Sequence, residues 1–213
     1  MKLLGIFFSL IVSACIFAQS NNGFNSTDII YGNVFLEKNF NNQLNTLQNH
    51  QLLKPLQTIG ISSAGNLKFN RKKESDVYVT YSQIIPQDID LTSGMHGKIN
   101  GFIFGFPIIS KKLFPKSHNF NMFTYFGINT GRIRISGDNF TSQKNPFFCP
   151  TISIQPRIRI KKTVLSFRAE YSVDVSNKLW RSLHFTKQKG DISLPNFSQS
   201  GLNLYVTFGR VQK

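Results

Sequence analysis

The feature that most constrains this chain is an alternation of period two. Between residues 151 and 161 the even positions are Ile152, Ile154, Pro156, Ile158 and Ile160. The odd positions are Thr151, Ser153, Gln155, Arg157, Arg159 and Lys161. Successive side chains of a strand point to opposite faces, so this run reads as a strand with one apolar and one polar side. Beyond Lys161 and Lys162 the pattern resumes. Leu165, Phe167, Ala169, Tyr171, Val173 and Val175 alternate with Ser166, Arg168, Glu170, Ser172 and Asp174. Two such runs joined by two residues predict a long hairpin.

The same period recurs along the chain. Phe102, Phe104, Phe106 and Ile108 share one face, with Gly97, Gly101 and Gly105 on the other. Phe120, Met122, Phe126 and Ile128 form another apolar row, and Leu202, Leu204, Val206 and Phe208 a third. Val77, Val79 and Tyr81 alternate with Tyr78, Thr80 and Ser82. Weaker strands are predicted over 59–69 and 29–36, the latter with mixed faces. No long segment shows helical periodicity, although a short polar helix over 41–53 fits the pattern.

This reading gives eight strands. Connections 70–75, 110–119 and 161–162 are short, and 38–55, 86–96, 137–149 and 176–200 are longer. Short and long alternate, as in an up-and-down barrel whose tight turns gather at one end. Alternation alone does not say which face is inside. A soluble barrel would bury the apolar face and a membrane barrel would expose it. Three features favour the membrane version. Arg157, Arg159, Arg168 and Glu170 lie mid-strand on the polar face. Gly101 and Gly105 share that face and leave room for long side chains. The connections are asymmetric. The predicted fold is therefore all-β, an eight-stranded antiparallel up-and-down transmembrane barrel.

Residues 1–18 read as an export signal. Met1-Lys2 is a short positive start, an apolar run follows, and Phe17-Ala18-Gln19 offers a cleavage point. The barrel domain is then 19–213. Val12-Ser13-Ala14-Cys15 also resembles a lipoprotein box, with Cys15 as its lipid acceptor. Cleavage after Ala18 leaves Cys149 alone, in what reads as a turn-rich stretch, so no internal disulfide forms. The sequence predicts an outer-membrane location.

At this point the chain resembles the small outer-membrane β-barrel proteins of Gram-negative bacteria, of OmpA/OmpX-like architecture. The end of the signal and the wealth of Phe, Asn, Ile and Lys resemble Bacteroidota members, the PorT-like or porin-family barrel domains. The resemblance is one of pattern over residues 29–210, with two departures. The terminal aromatic of such barrels is displaced here, because Gly209-Arg210-Val211-Gln212-Lys213 follow Phe208. Pro156 interrupts a strand and predicts a bulge or bend.

Chemistry is sparse. The histidines His50, His96, His118 and His184 have no metal-ligand spacing, and no nucleotide or nucleophile motif appears. No cofactor or catalytic residue is predicted. His184-Phe185-Thr186 resembles the His-aromatic-Ser segment of lipid A deacylases, with Thr in place of Ser. Lys plus Arg number 25 against 10 acids, a formal charge of +15. Such an excess is the usual mark of nucleic-acid binding, which an exported barrel does not meet. We assign part of it to a lumen charge network of Arg157, Arg159, Arg168, Glu170 and Asp174. Arg132 and Arg134 are assigned to lipopolysaccharide phosphates if they point outward; a bulge at Gly131 would turn them inward. Trp180, Arg181, His184, Lys187 and Lys189 mark the longest loop as the place for a partner, an unidentified envelope protein. The expected function is a non-enzymatic structural or surface-interaction role, with the lumen filled by side chains. The alternative is a soluble or lipid-anchored periplasmic barrel for a small apolar ligand, and the minor alternative a lipid A-modifying enzyme.

Overall fold

The computed structural model describes residues 26–35, 55–70, 73–91, 95–114, 119–137, 142–176, 181–182 and 198–211. The predicted signal, Cys15, the helix over 41–53, Trp180, His184, Thr186, Lys187 and Lys189 lie outside them. The strands are β1 (Ser26–Val34), β2 (Leu56–Asn70), β3 (Lys73–Leu91), β4 (Met95–Lys112) and β5 (Phe120–Gly137). They continue with β6 (Gln143–Ile160), β7 (Thr163–Ser172), β8 (Arg181–Ser182) and β9 (Gly201–Val211). Every pairing is antiparallel, in the order β5-β4-β3-β2-β1-β9-β7-β6, and the β5–β6 ladder closes the ring. The short β8 pairs with Gln143 and Lys144 of β6. Val173 and Val175 donate to Pro150 and Phe148 along the same edge, so β8 prolongs the line of β7. The fold is thus a closed barrel of eight staves. Among the described strands every stave has a hydrogen-bonded neighbour on each side.

The strand count matches the sequence reading, but the connections differ. The intervals 86–96 and 137–149 do not read out as long loops. Strands occupy most of each, and only 92–94 and 138–142 separate β3 from β4 and β5 from β6. Pro86 and Pro146, which fall in those two intervals, lie within strands, as does Pro150. Cys149 is likewise on β6, buried in the wall rather than in a turn. The strand ends that 35–55, 92–94, 138–142 and 173–200 join lie at one end of the barrel, called here the loop end. Connections 71–72, 113–119 and 161–162 meet at the other, the turn end, where Ser26 and Val211 are register partners.

Alternation holds on nearly every stave. On β6 Ile152, Ile154, Ile158 and Ile160 are exposed while Thr151, Ser153, Gln155 and Arg157 are buried. The apolar row faces out and the polar row faces the lumen. Phe106, Phe167 and Phe208 are exposed on the same outer surface, and Phe102 and Phe104 are half-buried in it, ring against ring. The register shifts between Pro107 and Ile109 against β5, so Ile108 and Ile109 both face outward. A second shift, between Ile84 and Gln87, brackets Pro86. Proline donates no ladder bond, and a bulge is where a sheet tolerates it. Pro156 behaves otherwise: β6 keeps one register with β5 through it, with no bulge.

Towards the loop end the two faces exchange character, on β5 without any change of parity and on β3 across the bulge between Ile84 and Gln87. On β5 the outward row changes from Phe126 and Ile128 to Thr130, Arg132 and Arg134. The inward row changes from Asn121 and Asn129 to Ile133 and Ile135, both fully buried. On β4, Lys98 and His96 are exposed while Ile99 and Ile103 are buried. Ile84 and Ile89 of β3, Leu56 of β2, Val34 of β1 and Phe147 of β6 join this inward cluster. Below the exchange the wall is apolar outside and polar inside; above it the arrangement is that of a water-soluble sheet.

Candidate functional site

Two places concentrate charge: the lower lumen and the outward rim at the loop end. In the lumen Arg157 is almost fully buried and stands between β6 and β1. Its Nη2 donates to Ser26 Oγ and lies 3.4 Å from Asp28 Oδ2. Thr207 Oγ1 donates to the same carboxylate oxygen at 3.5 Å, Ser166 and Thr207 share a hydrogen bond, and Gln155 Nε2 donates to Ser166 Oγ at 2.7 Å. The Arg157 guanidinium also lies 5.7 Å from the Phe123 ring centroid. A buried charge needs a partner of this kind, because its desolvation is otherwise uncompensated.

One layer up, Arg168 and Glu170 project from β7 into the lumen, with Nε and Oε2 at 3.9 Å. The Arg168 guanidinium lies between two rings, 5.0 Å from the Tyr78 centroid and 4.3 Å from that of Tyr205. Asn129 Nδ2 donates to Glu170 Oε1 at 2.6 Å and Asn203 Nδ2 to the same atom at 3.4 Å. Gly105 makes room for this group: a Cβ there would meet Thr80 Oγ1 and lie 2.8 Å from Asn129 Oδ1. The space left beside Arg168 and Glu170 is about 20 Å³, which suits one water molecule.

The five residues read from the sequence as one network therefore separate. Arg157 pairs with Asp28, which the sequence reading missed because β1 has weak, mixed faces. Arg168 pairs with Glu170 on its own strand. Asp174 ties the chain together at the loop end. Its Oδ1 accepts from Ser176 N and Oγ at 2.9 and 2.6 Å, and its Oδ2 accepts from Gln199 N at 3.0 Å. Arg159 is half-exposed at the turn end, where its Nε donates to Lys161 O at 3.0 Å.

At the loop-end rim Arg132 and Arg134 lie on the outward face. The β5–β6 ladder runs without a shift from Ile135 to Phe120, so Gly131 hosts no bulge. The Arg132 guanidinium lies 5.3 Å from the Phe102 centroid, and Arg134 Nη2 donates to Ser142 Oγ at 3.1 Å. Arg134 and Lys144 are direct cross-strand partners. Like charges opposite one another disfavour a strand pair, so this arrangement gains from a bound anion. Lys98 is 3.8 Å from Asp88, with both side chains largely exposed. A depression of about 570 Å³ runs over Asp88, His96, Lys98, Arg134, Ser136 and Ser142. Arg181 pairs with Lys144 through the backbone and so stands at the same rim. Among the described residues no group of His, Cys, Asp and Glu is placed to hold a metal ion.

No protein-family model matches the sequence, and no curated protein matches it. Among solved structures, the chain is similar to Ail, the attachment invasion locus protein of Yersinia pestis, with a TM-score of 0.47 at 12% identity. The match covers 89% of this chain and 98% of that one.

Proposed function

We propose that this chain is a non-enzymatic outer-membrane β-barrel protein that acts through its outer surface. The observation that carries this reading is the orientation of the faces. Isoleucine, phenylalanine and valine are exposed round the wall while arginine, glutamate and aspartate are paired inside it. Such a wall is unfavourable in water and suited to lipid. A soluble carrier of an apolar ligand would need the reverse orientation, and the 20 Å³ beside Arg168 does not admit one. The ion pairs and the isoleucine cluster above them favour a filled barrel over a pore. The finer resemblance to Bacteroidota barrels rests on composition and the end of the predicted signal.

At the loop-end rim, Arg132, Arg134, Lys98 and Lys144 are assigned to lipopolysaccharide phosphates. A guanidinium fork matches phosphate geometry, and Phe102 holds the Arg132 head at the edge of the apolar band. Arg181 is assigned, with Trp180, His184, Lys187 and Lys189 of the same connection, to an envelope partner. Fractionation tests the main reading: the chain goes to the outer membrane and migrates as a compact band that shifts on boiling. Recovery in the soluble periplasm would sink it. Arg132→Ala with Arg134→Ala is expected to lower lipopolysaccharide co-purification, and unchanged recovery removes that assignment. His184→Ala with Thr186→Ala is expected to leave lipid A unaltered.

A further inference from the structure

The turn end carries a second basic group on the outward face that the loop-end reading does not use. Arg210 of β9 lies between Thr27 of β1 and Thr163 of β7. Two residues higher, Phe208 lies between Ile29 and Leu165. This upper row is open: Ile29, Phe208 and Leu165 are 61%, 60% and 42% exposed. Arg210 and Lys162 are exposed beneath it, and a depression of about 490 Å³ joins them to Ile29 and Phe208. Among the described residues no carboxylate pairs with either cation. Asp28, next to Thr27 on β1, faces the lumen and is held by Arg157 and Thr207. The adjoining turn places Lys161 at φ 56°, a conformation that Gly or Asn adopts at lower cost.

Two cations at the foot of an exposed apolar strip have the layout of a phospholipid: a phosphate below and acyl chains above. A free anion would satisfy the cations and leave Ile29, Phe208 and Leu165 uncovered. We propose that this strip is a binding site for a glycerophospholipid with a net-negative headgroup. Arg210 and Lys162 hold its phosphate, and the Ile29–Phe208–Leu165 row receives its chains. The site rests on the membrane-barrel reading and belongs to the leaflet at the turn end, opposite the lipopolysaccharide assignment.

The test uses the full chain in phosphatidylcholine vesicles containing a minor fraction of phosphatidylglycerol of the same chain length. Insertion is read first, by the heat-sensitive band. Lipids retained on the intact protein are then counted by native mass spectrometry. The wild type is expected to retain phosphatidylglycerol in preference to phosphatidylcholine. Lys162→Gln with Arg210→Gln should lower that preference about twenty-five-fold, since each basic residue near an anionic surface contributes about fivefold. Lys111→Gln with Lys112→Gln removes the same charge elsewhere at this end and should leave it unchanged. Equal retention of both lipids by an inserted wild type overturns the site. So does undiminished preference in the first variant, equal loss in the second, or displacement by free glycerol phosphate. A chain that does not insert at all overturns the membrane reading itself.

Discussion

The lower and upper halves of the lumen come from the same staves and, except where β3 bulges between Ile84 and Gln87, the same side-chain parity, yet they are built on opposite chemistry. The lower half is polar: Ser26, Asp28, Gln155, Arg157, Ser166, Arg168, Glu170 and Thr207 are buried there and answer one another. The upper half is packed with Ile84, Ile89, Ile99, Ile103, Ile133 and Ile135. The difference follows from what lies outside the wall. Where the outside is apolar, the polar row must go inward. Where the outward row becomes Arg132, Arg134, Lys98 and Lys144, the inside is free to be a conventional hydrophobic core. The lower half gains specificity from paired charges, and the upper half gains stability from burial.

Four single substitutions, one of them with a second-site rescue, would break or sharpen that contrast. The largest effect is expected from Arg157→Leu alone, which leaves Asp28 buried and uncompensated and should cost about 3–5 kcal/mol in urea unfolding. Changing Asp28→Leu as well should restore most of it; if the double variant is no more stable than the single, the pair is not the organising contact. In the upper half Ile133→Ala should cost about 3 kcal/mol by leaving a cavity, with no rescue by a charge-changing second substitution. Gly32→Ala tests the packing between the two regions. Its Cβ would meet the Tyr205 ring, and the expected loss is about 2 kcal/mol. The smallest effect is Lys161→Gly, which should stabilise the turn end by up to about 1 kcal/mol, read as a slower unfolding rate.

Much of the barrel was legible in the sequence because alternation survives translation into structure residue by residue. The Ile152–Ile160 row and the Arg157 row are the plainest example. The apolar upper lumen was less legible, for the same reason that it exists. Ile133 and Ile135 alternate with Arg132 and Arg134 as faithfully as the rows below them do, and nothing in a period of two marks where the outward face turns from apolar to charged. The segments 86–96 and 137–149 were misread as loops because Pro86 and Pro146 look like punctuation until their strand neighbours are known. Asp28 stayed hidden because its strand is short and its apolar neighbours Ile29 and Ile30 fall on opposite faces. Ion-pair partners distant in sequence, as Asp28 and Arg157 are, leave no local trace.

The three register shifts have a consequence for how such a chain changes length. A one-residue slip in a stave exchanges its outward and lumen rows, so an added or lost residue within β5 or β6 would bury Arg132 or expose Arg157. Only a bulge absorbs an odd residue without that exchange. The shifts at Lys68/Asn70, Ile84/Gln87 and Pro107/Ile109 all fall on β2, β3 and β4. The staves β6, β7, β9 and β1, which hold the Arg157–Asp28 pair, keep an unbroken register with one another. One arc of the wall is thus free to gain or lose residues, while the arc that carries the buried charges admits change only in pairs.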